Sequence, residues 1–429
     1  MDLNRTIAPP IKPIENLTLP FPEKIFLTNQ IPVYIIRAGD QDVVKIEFIF
    51  NAGRKHETVK AVSAATARLI KEGTKSRTSF EISSAFDFFG AALQVNSYSD
   101  NSNVVLFSLN KHLHNLFPLL KEILTEAIFP QKEIDTFIQN SIQKILVSRE
   151  KVEYLAQKKF MEVLYGENHY LGYTPEEDDY NKLTREMLHK FYSTQYTSNN
   201  CTIIISGKVE SSTIEGLQKY FGGNDWLTKT INLNRVTSIP SSFDENYFVE
   251  KKDAVQSALR IGKHMINRGH PDWSALRFTN TILGGYFGSR LMSNLREDKG
   301  FCYGIYSSLI SIYDHGHMSI GSEVGSDVTK QAVDEIFFEI NRLRNEEVGN
   351  EEMDLVRNYM MGVMLADLDG PFNLSEVIRG YVVNGIEFEK FSQNIETIKK
   401  ISSSRVQEIA NMYFNPETMV TVVSGSEKI

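Results

Sequence analysis

Leu183–Glu210 reads LTREMLHKFYSTQYTSNNCTIIISGKVE, and Ile401–Lys428 reads ISSSRVQEIANMYFNPETMVTVVSGSEK. Both stretches run helix, turn, then buried strand, and Ser206-Gly207 falls on Ser424-Gly425 in that register. The front ends agree as well. Ser63–Gly73, SAATARLIKEG, lies over Ser274–Gly285, SALRFTNTILGG, each after a strand and a turn. The chain is therefore a duplicated unit, and a repeat of roughly 200 residues is too long for a solenoid module. Strands precede helices within each copy, which points to α+β layers. The layout expected is an arm over 1–24, a first domain over 25–222, a linker over 223–243 and a second domain over 244–429.

Local patterns fill in that frame. Val43–Gly53, VVKIEFIFNAG, alternates apolar and polar residues and ends in a turn signal, as a half-buried strand does. Leu93–Asp100 and Ser102–Asn110 read as two strands joined by a tight turn. Leu113, Leu116, Leu120, Ile123, Leu124 and Ile128 recur at helical spacing, and a second helical tract runs from about Lys132 to Phe160. The opening residues are polar and Pro-rich, as in an extended arm.

Composition bounds the function. Of 429 residues, 41% are hydrophobic and 23% charged, an ordinary globular mix. The formal charge of -8 argues against nucleic acid as a partner and weakly favours peptides carrying positive charge. Cys201 and Cys302 cannot build a Cys-based zinc site and read as structural thiols. No apolar run reaches the ~20 residues that span a bilayer. The N-terminus has no apolar signal core, so the expected location is the cytoplasm, or the periplasm if a leader has been removed.

Two stretches bear on chemistry. In Lys60–Thr74, KAVSAATARLIKEGT, residues Ala64, Ala67 and Arg68 stand at i, i+3 and i+4 and share one helix face. In Leu283–Ser308, LGGYFGSRLMSNLREDKGFCYGIYSS, a Gly-rich turn leads into a helix and then a strand. Alone, that turn lacks the endings of phosphate-binding loops and reads as a mobile loop capping a helix. His112 with His114, and His315 with His317, are i, i+2 pairs without a third ligand nearby, and His56 reads as a turn residue.

With both halves in order, the chain resembles the M16 family of zinc peptidases, the pitrilysin and mitochondrial processing peptidase group. The resemblance implies two homologous domains, each a mainly antiparallel sheet with packed helices. It also implies a His-x-x-Glu-His motif on the first helix and a later Glu ligand. The KEGT at Lys71–Thr74 sets the register. The first His then falls on Ala64, the Glu on Ala67, the second His on Arg68 and the later Glu on Lys144. A methyl cannot ligate, a guanidinium or protonated amine has no free lone pair, and two cations repel zinc.

The second half keeps the family's pattern. The resemblance implies that Arg296 and Tyr303 assist cleavage at an opposing zinc site, and that Gly284, Gly285 and Gly288 help bind substrate. Asn96, on the strand ALQVNSYSD (Ala92–Asp100), falls where the family pairs with substrate backbone. Other readings stay open: Arg296 pairing with Glu297 or Asp298, and Tyr303 in the core. The function expected is a non-catalytic, substrate-binding subunit of a heterodimeric M16 peptidase. It would carry no cofactor itself, and zinc would sit in a partner with an intact motif. The isolated chain could form a homodimer. The alternative is a catalytically dead homologue serving as a peptide-binding or scaffold protein. Cys302 beside Tyr303 is the one loose candidate for a different nucleophile.

Overall fold

The computed structural model describes residue 6 and residues 14–226, 239–240 and 246–427. Most of the expected linker, 223–243, lies outside the described residues. The first half forms β1 (Glu23–Phe26), β2 (Pro32–Arg37), β3 (Val43–Phe50), β4 (Ala92–Ser97), β5 (Ser102–Leu109) and β6 (Cys201–Gly207). Their order in the sheet is β1-β2-β6-β3-β5-β4. The second half forms β7 (Asn246–Glu250), β8 (Gln256–His264), β9 (Cys302–Ser311), β10 (Gly316–Gly325) and β11 (Val420–Gly425). Their order is β7-β11-β8-β10-β9.

The two orders are one order, with β1 added at an outer edge of the first sheet. The pairs β2–β6 and β7–β11 are parallel, and every other pair in both sheets is antiparallel. The Ser-Gly register carries through: Ser206 pairs with Lys45 in β3, and Ser424 with Ala258 in β8. β6 and β11 are rich in Val, Ile and Thr, sit inside their sheets and are almost wholly buried, as such residues favour.

Each half covers part of the other. The helical tract after Lys132 is two helices, Gln131–Arg149 and Val152–Tyr165, broken at Glu150-Lys151. The second of these packs on β8 and β11 of the other half. In return, the helix Gly370–Val383 of the second half packs on β6 and β2. Phe160, Leu164 and Tyr165 form one apolar cluster with Ala258, Val420 and Val422.

This exchange corrects the reading of β3 as half-buried. From Val44 to Phe50 both its faces are buried, because the helix Gly370–Val383 covers the face that alternation had assigned to water. Lys45 and Glu47 are 3% and 0% exposed. Buried charges need partners, and the covering helix supplies them. Lys45 Nζ donates to Ser375 Oγ at 3.0 Å and pairs with Glu376. Arg379 Nε donates to Glu47 Oε1 at 2.7 Å, and its Nη2 reaches Asn101 Oδ1 at 2.9 Å. Arg260 holds the position of Glu47 in the second sheet, since Glu47 pairs with Ile204 and Arg260 with Val422. It bonds Gln157 and Glu153 of the first half's helix at 2.8 and 3.0 Å.

The ends of the halves are tied down too. Leu17 and Leu19 of the arm are buried in the second half's core. Trp226 is buried in the first core, and its Nε1 donates to Tyr196 O at 3.1 Å.

Candidate functional site

The helix Val62–Leu69 has a core side and an outer side. Val62, Ala65 and Leu69 are buried in the first core. Ser63 fixes the start, its amide donating to Glu57 Oε1 at 2.9 Å and its hydroxyl to Ala52 O at 2.8 Å. Ala64 and Arg68 are exposed on the outer side and Ala67 is buried. Lys144 is exposed on the helix Gln131–Arg149, which packs beside the helix Val62–Leu69. The two helices thus adjoin, but they carry methyl groups and cations. The zinc implied by the resemblance does not fit these residues. Among the described residues, no three His, Cys, Asp or Glu side chains gather as a metal site requires.

The second stretch is assembled. The helix Trp273–Gly284 ends at the Gly-rich turn, and Met292–Asp298 follows as a π-helical segment. Such wide turns recur at functional sites. Arg296 lies in this segment, with its guanidinium carbon 5.3 Å from the centre of the Tyr303 ring and 4.6 Å from that of Phe287. Two aromatic faces therefore hold one cation. Tyr303 is 91% exposed, so it is not a core residue. Neighbouring charges are paired: Arg290 grips Glu352 with two bonds of 2.9 and 2.8 Å, and Lys299 reaches Glu335 at 3.1 Å. Among the described residues no carboxylate pairs with Arg296, and Glu297 and Asp298 are exposed. The role of Phe287 was missed from sequence, although it stands inside the quoted GGYFGSR.

The glycines have packing reasons. A Cβ on Gly284 would lie 2.7 Å from Ser307 N of β9, and one on Gly285 2.6 Å from Thr281 Cα. On Gly288 it would meet the Tyr286 ring at 2.9 Å. Gly284 is buried, while Gly285 and Gly288 are exposed. Asn96 sits on β4, an edge of the first sheet. Its amide donates to Asn103 Oδ1 at 3.0 Å, and Asn103 in turn donates to the buried Glu47. One of the two amide N–H donors of Asn96 is thus committed inside the protein. β9, which carries Tyr303, is the edge of the second sheet. Beside it runs a groove of about 830 Å³ bordered by Tyr303, Tyr306, Arg260 and Gln157.

Four histidines meet where the halves join. His169, His264, His315 and His317 all surround the ring of Tyr165, whose hydroxyl lies 2.9 Å from His317 Nδ1. His315 and His317 are therefore part of a packed aromatic cluster. Burial pushes His317 down to about 4, and His264 presses the same way. Burial also lowers His169 to about 4 and lowers His264 and His315. His56 is in the short turn Arg54–His56 and is lowered to about 4 by burial and then by Lys55. His112 and His114 fall in a turn and a helix, so they share no strand face. Cys201 and Cys302 are free thiols, and burial raises both, which opposes a nucleophilic role for Cys302.

Two family models match the chain in order. One, described as Insulinase (Peptidase family M16), matches residues 33–172, and one described as Peptidase M16 inactive domain matches residues 182–360. The uncharacterized zinc protease YmxG of Bacillus subtilis is 23% identical over 390 residues, covering 89% of this chain and 93% of that protein. The probable inactive metalloprotease YmfF of the same organism is 24% identical over 319 residues, covering 70% and 74%. Among solved structures, a peptidase M16 inactive domain from Pseudomonas fluorescens has a TM-score of 0.83 at 20% identity, over 95% of this chain and 98% of that one. A protease from Helicobacter pylori has a TM-score of 0.86 at 17% identity, over 94% and 100%. The matches run through both halves, the fold agrees, and no helix among the described residues is long and apolar enough to cross a membrane. The chain belongs to peptidase family M16.

Proposed function

We propose that this chain is the non-catalytic, substrate-binding subunit of a heterodimeric M16 peptidase. The partner supplies the zinc and the general base, and this chain holds no cofactor. The observation that carries the reading is the half-buried Arg296 beside the exposed Tyr303, braced by Phe287, in a chain whose Ala64, Ala67, Arg68 and Lys144 cannot ligate. The Arg296 fork suits a substrate carbonyl. The Tyr303 hydroxyl suits the oxygen that gains charge during attack. The open edges at β4 and β9 could each add an extended peptide strand, with Asn96 and the Gly284–Gly288 turn beside it.

The test is reconstitution. Mixed with a zinc-bearing M16 partner, the chain should produce a peptidase activity that neither chain shows alone. Arg296→Ala or Tyr303→Phe should then lower turnover on the order of 10²-fold, the usual cost of one such donor, with assembly intact. Tyr303→Phe keeps the ring over the guanidinium and removes only the donor. Wild-type rates in both variants would leave the chain as a peptide-binding or scaffold protein. Failure to pair with any M16 chain would overturn the subunit reading.

A further inference from the structure

A cavity of about 720 Å³ lies on the helix side of the second sheet. The helices Trp273–Gly284, Gly370–Val383 and Glu389–Lys400 enclose it with β9. Arg268, Arg277 and Lys390 all line it. Among the described residues, no ion pair, side-chain hydrogen bond or ring contact engages any of these three cationic groups. Arg268 is solvent-exposed, while Arg277 and Lys390 are half-buried, and a cation partly drawn from water without a partner is costly. Burial holds the Arg277 guanidinium below its usual range, and the nearby Arg268 presses the same way. The backbone makes room for this arrangement: a Cβ on Gly380 would stand 3.2 Å from Arg268 Nη1.

We propose that this cavity binds an organic carboxylate with an apolar body. The two guanidiniums face one space and suit a single carboxylate, which each can meet with a planar fork. Trp273, Leu309 and Phe391 supply apolar wall for the rest of the molecule. The carboxylates in the lining, Asp367 and Glu376, are both solvent-exposed, and Glu376 already pairs with Lys45. Their charge disfavours a polyanion and leaves a monoanion as the fitting ligand. Neither Arg296 nor Tyr303 borders this cavity, so the site stands apart from the pair proposed to assist cleavage.

The experiment is calorimetric titration of the full chain with N-acetyl-leucine, N-acetyl-leucinamide, acetyl-Ala-Ala-Leu and inorganic phosphate. N-acetyl-leucine should bind saturably. The amide, and the variant Arg277→Gln, should each weaken binding about tenfold or more, as loss of a charge-assisted contact does. Tighter binding of acetyl-Ala-Ala-Leu would identify a polypeptide C-terminus as the source, and equal binding a small free acid. A second variant guards against misfolding. Without ligand, Arg277→Met should leave Tm unchanged or raise it, since it removes a half-buried charge that has no ion pair and stands near the like-charged Arg268. The proposal is overturned if N-acetyl-leucine fails to bind, if its amide or Arg277→Gln binds equally well, if phosphate alone binds, or if Arg277→Met lowers Tm.

Discussion

The exchanged helices make opposite demands on two positions that the duplication places in register. Glu47 is fully buried, and Arg379 gives it a 2.7 Å bond from the other half. Removing one partner of a buried pair costs about 3–5 kcal/mol. Lys45 Nζ remains 3.2 Å from the other carboxylate oxygen, so Arg379→Ala should cost about 3 kcal/mol, the low end of that range. The lost stacking of Arg379 on Tyr98, 4.8 Å from the ring centre, adds to it. At the matching place, Arg260 pairs with Glu153, whose side chain is 59% exposed, and Arg260 keeps Gln157 and Leu259 O as acceptors. Glu153→Ala should therefore cost about 0.5 kcal/mol or less.

The two tryptophans make the assay specific. Trp226 lies in the first core, and Trp273 begins the helix that follows β8 in the second half. Urea unfolding of Trp273→Phe protein reports the first half, and of Trp226→Phe protein the second. Arg379→Ala should shift the Trp226 transition strongly, whereas Glu153→Ala should hardly move the Trp273 transition. In a Glu47→Gln background, Arg379→Ala should cost about 2 kcal/mol less than in the wild type. Equal costs for Arg379→Ala and Glu153→Ala would refute the reasoning, because burial would then not be what separates the two pairs.

Two further outcomes are expected. Ala64→His, Ala67→Glu and Arg68→His together should not yield tight zinc binding by elemental analysis, since Lys144 still occupies the third ligand position; one tightly held zinc per chain would contradict this. Stability should fall between pH 6.5 and about 4, because the unfolded chain protonates there while His317, lowered to about 4, stays neutral when folded. For His317 alone the loss by pH 4 is about 3 kcal/mol, and His317→Gln should make the stability profile shallower across that window, with His169 and His56, also lowered to about 4, keeping the rest of the slope; an unchanged slope would refute the assignment.

Much of the architecture could be read from Ser206-Gly207 and Ser424-Gly425, because equal registers force equal strand neighbours. The exchange of helices could not. The helix Val152–Tyr165 has an apolar face whichever sheet it covers, and choosing between two sheets is a tertiary decision. For the same reason Lys45 and Glu47 passed as solvent-facing members of an alternating strand. At the candidate site, Arg296 and Tyr303 were visible as residue types, but the ring of Phe287 beneath the guanidinium was not. Of the histidine cluster, only His315 and His317 stand at a readable i, i+2 spacing. His169 and His264 come from opposite halves and meet only because one helix crosses between them.

The helix Val62–Leu69 and the Arg296 segment owe their places to different forces. The helix is required by the core, since Val62, Ala65 and Leu69 are buried and Ser63 anchors its start. Its outer positions are free of that requirement, so Ala64 and Arg68 can lack metal chemistry while the fold stands. Tyr303 is the reverse case. At 91% exposure its ring contributes little buried area, and Phe287 beside it is 55% exposed. An unpaired guanidinium between two exposed rings does little for folding. What such a group does offer is a donor fork held in a fixed direction, which suits a docking carbonyl or carboxylate. The core therefore explains why the first helix stands without zinc ligands, and folding energetics alone do not account for the Arg296–Tyr303 pair, in keeping with the role proposed for it.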